Sequence, residues 1–398
     1  MSNSITIQDK ALNPLMATYN RFPITIVKGE GSYVWDDQGE KYLDFTSGIA
    51  TCNLGHVPQF VKDQIVEQMD ALWHCSNLYH IPSQEKLASL LVEQSCGDKV
   101  FFCNSGAEAN EAAIKLARRY AQEVMKTEDY EVVTFRESFH GRTLATLTAT
   151  GQEKIQKGFS PLIKGFRYLP YNDMDALDDL AGDKTCAVLL ELVQGEGGVI
   201  PAQKEWIEKL SAICKERGLL LMVDEIQTGV GRTGSLFAYQ QYGIEPDVVT
   251  LAKGLGSGFP IGAVLAKENV AKAFVPGSHG TTFGGNPLST TAGVATLSYI
   301  KENNIVEKAA VLGEYLHEQL IKLLEKYPII NEVRGKGLLT GLVIPNAIEV
   351  VHAARNKNLL VLIAGPNVLR ILPPLTTTKQ EIDDCISILG SVLNECHI

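Results

Sequence analysis

From about Val100 onward the chain alternates short, largely apolar runs with longer amphipathic segments. The runs are Val100 to Cys103, Val132 to Phe135, Cys186 to Val193, Leu219 to Val223 and Val248 to Leu251, with a helical pattern after the first and another over Lys204 to Arg217. Strands without a polar face are buried on both sides, and strands separated by helices pair in parallel. The pattern therefore predicts an α/β fold with a mostly parallel sheet covered by helices on both faces. Upstream, GEGSYVWDDQGEKYLDF, residues 29–45, reads as two short strands joined by Asp36-Asp37-Gln38-Gly39, because glycine tolerates the positive φ of a tight hairpin. After about Pro287 come two long helical patterns and a smaller strand set around Gly337 to Ile344 and Val368 to Leu372, an α+β arrangement. The expected division is a large domain over residues 51–286 and a small C-terminal domain over 287–398, with residues 1–50 belonging to the small one.

Composition removes several classes of function. The chain has 398 residues, 45% of them hydrophobic, enough for two or three domains and a large core. Its formal charge is −10, from 36 Lys and Arg against 46 Asp and Glu, so no global positive field attracts nucleic acid. No apolar run approaches the roughly 20 residues that cross a bilayer, and the polar start MSNSITIQDK lacks a signal-peptide core. A cytosolic protein is expected, with neither membrane nor nucleic acid as partner. The cysteines at 52, 75, 96, 103, 186, 214, 385 and 396 form no CxxC pair, so neither a metal site nor a disulfide framework is indicated. His56, His74, His80 and His140 are isolated and read as surface or satisfied core histidines.

Polar residues at strand ends mark candidate sites, because ligands of open α/β sheets bind beyond the carboxyl ends of the strands. In FFCNSGAEANEAAIKLARRY, Ser105 and Glu108 have capping-box spacing, which starts a helix whatever the function. Gly106 and Ala107 also leave open N–H groups there, a seat for phosphate. In LLLMVDEIQTGVGRTG an apolar strand ends in two acids, of which alternation lets only one face a given ligand. In PDVVTLAKGLGSGFPIGAVLA, a strand delivers Lys253 among small residues, where partial desolvation lowers the amine's pKa and favours a nucleophile. Each alone has an ordinary structural explanation: a cap, a surface turn, a solvated charge.

Taken together with SFHGRTLATLTATG, QGEGG, HGTTFGGNPL, VRGKGL and RILPPL, these stretches cover nearly the whole chain in order. The sequence resembles the class III, fold-type I pyridoxal-phosphate aminotransferases. By that resemblance, Lys253 forms the imine with the aldehyde of pyridoxal 5'-phosphate and afterwards moves the proton. Asp224 sits against the pyridine nitrogen, with Glu225 and Ile226 beside it. Gln227 lies near the phenolic oxygen, Phe139 on the ring face, and Ser105, Gly106 and Ala107 at the phosphate. Thr282 reaches the phosphate of a second subunit, which implies a homodimer with shared active sites.

The resemblance also implies a substrate apparatus. Arg142 binds a distal carboxylate, which suits a planar guanidinium fork. Arg370 takes the α-carboxylate of glutamate, Glu196 pairs with Arg370 when the amino donor has no carboxylate there, and Thr281 helps to hold the donor. The branch of the family most similar acts on N2-acetyl-L-ornithine, with 2-oxoglutarate as acceptor, in arginine biosynthesis. His140 stands where the ornithine-specific branch commonly has Trp, while Leu192 replaces a frequent Pro. Ornithine, succinylornithine and 4-aminobutyrate stay open as donors. GVGRTG, Gly229 to Gly234, also satisfies GxGxxG and so admits an NAD-dependent dehydrogenase, although no clear long helix follows it.

Overall fold

The computed structural model describes residues 14–395, so the polar N-terminal stretch and Cys396 lie outside the described residues. Seven strands form the central sheet: β1 Lys99–Cys103, β2 Glu131–Phe135, β3 Phe166–Leu169, β4 Thr185–Glu191, β5 Leu220–Asp224, β6 Val248–Leu251 and β7 Gly262–Ala266. Their order is β1-β7-β6-β5-β4-β2-β3. All neighbours pair in parallel except β7, which runs antiparallel to both β6 and β1. Every residue of β4, β5, β6 and β7 is buried, which is why these strands read as largely apolar runs.

The helices carry their own signals. Helix α1, Gly106–Arg119, is capped by Ser105, whose hydroxyl accepts from Glu108 N at 3.2 Å. The Glu108 carboxylate reaches back to Asn104 N at 2.6 Å, one residue earlier than a capping box requires. Helix α2, Lys204–Arg217, buries Trp206, Ile207, Leu210 and Cys214 along one stripe and stops at Gly218, φ +67°. The hairpin Tyr33–Asp36 and Lys41–Asp44 forms as expected: the Asp36 carboxylate accepts from Gln38 N and Glu40 N, and Gly39 has φ +87°.

Two four-stranded sheets lie outside the central one, besides a two-stranded pairing of Val193–Gln194 with Ile200–Pro201. Leu359–Leu360 pairs with Lys41–Asp44, so the C-terminal part of the chain completes the N-terminal hairpin sheet. The other sheet orders Glu332–Lys336, Leu339–Val343, Val368–Ile371 and Leu362–Ala364. Helix α3, Pro287–Glu302, packs against the helices Gln59–Met69 and Pro82–Gln94. Its buried Ala292, Gly293, Ala295 and Leu297 allow that close approach. Among the described residues, no helix is long and apolar enough to cross a membrane.

Candidate active site

The parallel register brings the carboxyl ends of three strands level: Glu191 of β4 stands beside Asp224 of β5, and Asp224 beside Thr250 of β6. Two residues past β6, Lys253 takes a left-handed φ of +34° in the connection to β7, a conformation that a non-glycine residue keeps only when its surroundings impose it. These ends open into a cavity of about 430 Å³, lined among others by Ser105, Phe139, Arg142, Glu196 and Lys253. The topology places it where β1 and its helix meet the reversed strand β7.

Asp224 is held on both carboxylate oxygens. Oδ1 accepts from Ile226 N at 3.0 Å, and Oδ2 lies 2.7 Å from Asn110 Nδ2 and 2.8 Å from His140 Nδ1. Asn110 is fixed in turn by Thr250 Oγ1, which donates to its Oδ1 at 2.8 Å. His140 is therefore neither isolated nor satisfied: one ring nitrogen meets Asp224, and the buried Nε2 has no partner among the described residues. Glu225 points the other way, as strand alternation demands. Its carboxylate accepts from Thr228 Oγ1 and from Tyr239 N, so the expectation that Glu225 touches the cofactor is corrected. Ile226 does line the cavity, with its side chain against Gly106, where an added Cβ would come within 2.8 Å of it.

Electrostatics divides the acids. Burial, reinforced by the charge of Asp224, pushes Glu191 well above its ordinary carboxylate value, and its Oε2 accepts from Phe139 N at 2.9 Å. Burial would also raise Glu196, but Arg370 and Lys253 outweigh it and hold Glu196 below its ordinary value. Desolvation, with the charge of Arg370, lowers Lys253 against the opposing pull of Glu196, Asp224 and Glu191. A lysine lowered in this way is a better nucleophile and base near neutrality.

The two arginines occupy different states. Arg142 is exposed at the cavity, its guanidinium 5.6 Å from the centroid of the Phe139 ring. Arg370 is 1% exposed and covered: Nη1 donates to Glu196 Oε1, to Gly195 O at 3.0 Å and to Gln227 Oε1 at 3.3 Å. Gln227 Nε2 closes the group by donating to Glu196 Oε1 at 3.1 Å.

A family model described as Aminotransferase class-III matches residues 15–393. The chain belongs to the class III aminotransferases. An acetylornithine aminotransferase of Oceanobacillus iheyensis is 59% identical over 387 residues, 97% of each chain, and one of Bacillus subtilis is 50% identical over 385 residues, 96% of this chain and 98% of that one. The solved N-acetylornithine aminotransferase of Stenotrophomonas maltophilia is 36% identical with a TM-score of 0.83, covering 95% of this chain and 97% of that one. An ornithine aminotransferase of Toxoplasma gondii, whose structure shows partial occupancy of PLP at its active site, is 32% identical with a TM-score of 0.91, covering 95% and 92%.

For this aminotransferase, the described chain brings Lys253, Asp224, Gln227, Phe139, Ser105, Gly106 and Ala107 to one cavity, with Arg142 and Glu196. Thr281 and Thr282 are not brought there. They line a neighbouring hollow of about 680 Å³ that shares Asn104 with it, and Thr281 Oγ1 accepts from Gly284 N at 3.1 Å. GVGRTG is a chance match to the dinucleotide fingerprint. Residues 229–233 are buried, and only a short 3-10 turn, Ala238–Tyr242, follows. Gly229 lies against Glu225 O, where a Cβ would sit at 2.7 Å, so the glycine spacing serves chain packing.

Sequence reasoning missed Asn110, Thr250, Glu191 and Thr51, the last of which also lines the cavity. Two of them carried a signal. Thr250 is polar inside an all-buried strand, and Asn110 interrupts a helix face of buried alanines.

Proposed function

We propose that the chain is a cytosolic, homodimeric aminotransferase that moves the δ-amino group of N2-acetyl-L-ornithine to 2-oxoglutarate, giving N-acetyl-L-glutamate 5-semialdehyde and L-glutamate in arginine biosynthesis. One observation carries the reading: Lys253 stands in a cavity lined by one exposed arginine, Arg142, and by Glu196, whose carboxylate covers a second, buried arginine, Arg370. Such a site suits two substrates, one with a carboxylate beside its reacting carbon and one without. The names of the relatives support the choice of donor.

The residues fit pyridoxal 5'-phosphate. The first turn of α1 leaves the N–H groups of Gly106 and Ala107 without intrahelical acceptors, and the buried Asp224 has no Lys or Arg partner among the described residues. The cofactor supplies an aldehyde for the amino group and a ring that accepts the electron pair released at the substrate carbon. Ser105, Gly106 and Ala107 would hold its phosphate, Asp224 its ring nitrogen, and Phe139 its ring face.

Lys253 Nζ takes the proton from the carbon that bears the amino group and later returns one, which its lowered pKa favours. Arg142 binds the α-carboxylate of the donor, or the γ-carboxylate of 2-oxoglutarate, and so orients each at Lys253. With N-acetylornithine, whose reacting carbon carries no carboxylate, Glu196 stays on Arg370. With 2-oxoglutarate, Glu196 swings away and Arg370 takes the α-carboxylate.

In this reading Thr282 acts in the partner's site, and its exposure beside the exposed Phe283, Trp73 and Leu78 supports a second copy there. The pairing of Leu359–Leu360 with Lys41–Asp44 supports joining residues 1–50 to the C-terminal domain, with α3 bridging to the domain over 51–286.

A spectral half-reaction tests the donor. The purified protein is loaded with pyridoxal phosphate, and N-acetylornithine, ornithine or 4-aminobutyrate is added separately while the visible band of the bound cofactor is followed. Rapid loss with N-acetylornithine at low concentration, and slow loss with the others, is expected. A faster reaction with another donor reassigns the substrate, and absence of any band refutes the cofactor.

A further inference from the structure

Arg232, in the centre of GVGRTG, is a buried charge for which the proposed reaction has no use. Its side chain is 0% exposed and forms no salt bridge among the described residues. Its hydrogen bonds go to neutral acceptors instead. Nη1 donates to Leu338 O at 3.1 Å and to Pro373 O, Nη2 donates to Asn53 Oδ1 at 2.8 Å, and Nε has no partner among the described residues. A guanidinium removed from water without a counter-ion is costly, so its retention calls for a reason other than stability.

The acceptors supply one. Leu338 leads into the strand Leu339–Val343, whose Gly341 pairs with Arg370, and Pro373 follows Val368–Ile371, the strand that carries Arg370. The Arg232 backbone takes part too, its carbonyl accepting from Leu338 N at 3.0 Å. On the other side, Asn53 donates to Val230 O at 2.9 Å and accepts from Leu375 N at 2.7 Å. Asn53 also presses on Gly254, the residue after Lys253, so closely that a Cβ there would lie 2.1 Å from its Nδ2. One planar fork thus ties the end of the strand that carries Arg370 and the start of its neighbour, through Asn53, to the loop that holds Lys253. Lysine, a single point charge on a flexible stem, cannot hold three divergent acceptors in fixed geometry.

We propose that Arg232 is a positioning residue that sets the distance from Arg370 to Lys253, and so governs the site's hold on substrates with a carboxylate beside the reacting carbon. The proposal rests on the roles given above to Arg370 and Lys253. A donor whose reacting carbon has no carboxylate does not use Arg370 and is largely indifferent to Arg232.

The test compares the wild-type holoenzyme with Arg232→Lys and with Asn53→Ala, which removes one acceptor and leaves the charge. Steady-state kinetics give KM for each substrate, and calorimetry gives Kd for glutarate, an unreactive dicarboxylate. For both variants, KM for 2-oxoglutarate and Kd for glutarate should rise ~10-fold or more, while KM for N-acetylornithine stays within ~3-fold, since small misplacements of a binding group are felt strongly. If R232K does not fold, N53A decides by the same readouts. Equal changes for both substrates, or none beside a lowered Tm, would overturn the role of Arg232 alone. A wild-type enzyme that cannot use 2-oxoglutarate would overturn the function first, and this inference with it.

Discussion

Asp224 and Glu225 are adjacent carboxylates with opposite fates, and the pleat of β5 separates them. Alternation made it legible that only one could face a ligand, but not which one, because the choice depends on where Thr228 and Tyr239 stand in three dimensions. Burial pushes Glu225 up to about 7 from an ordinary 4.5. Between those values the native chain holds a proton that the unfolded chain has released, so stability falls as pH rises, by about 1.4 kcal/mol per unit from this group. Glu225→Gln should remove that share of the slope. Urea denaturation at several pH values between about 5 and 7 measures it. Glu191, raised for the same reason, leaves a residual slope in the variant, and an unchanged total slope would disprove the assignment to Glu225.

At the scale of elements, α2 was readable to the residue because its apolar stripe ends at a glycine able to take a left-handed cap. The same helix shows how an element is held to the sheet. Trp206 is fully buried, its ring 4.9 Å from both Phe135 and Tyr171, and its Nε1 donates to Asp173 O at 3.0 Å. Trp206→Ala should cost about 3–5 kcal/mol, from lost transfer energy and the cavity left behind, and chemical denaturation should show it as a lowered midpoint. Trp206→Phe, which keeps most of the ring contact, should lose clearly less. Strand β7 was not legible. An apolar run carries no mark of direction, and the reversal is set by the connection through Lys253, Ser257 and Gly258, whose φ values are all positive. The hydrogen bonds that hold His140 and Asn110 on Asp224 were hidden for a related reason, since they join residues 84 and 114 positions apart, respectively.

The whole molecule sets its own test. If Thr282 serves the partner's site, a mixed dimer of Lys253→Ala and Thr282→Ala chains contains one site with both residues intact and one with neither. Mixing the two poorly active variants under conditions that exchange subunits should therefore restore part of the activity, whereas a site complete within each chain would gain nothing. Long-range pairing also has a consequence for synthesis. Strand β1, which leads into the phosphate seat, is an edge strand bonded only to β7, and its Cys103 pairs with Gly262, 159 positions downstream. Closing so long a loop is entropically expensive and slow. While the chain leaves the ribosome, β1 waits with both edges open, an exposure that makes the half-made protein a natural client for chaperones.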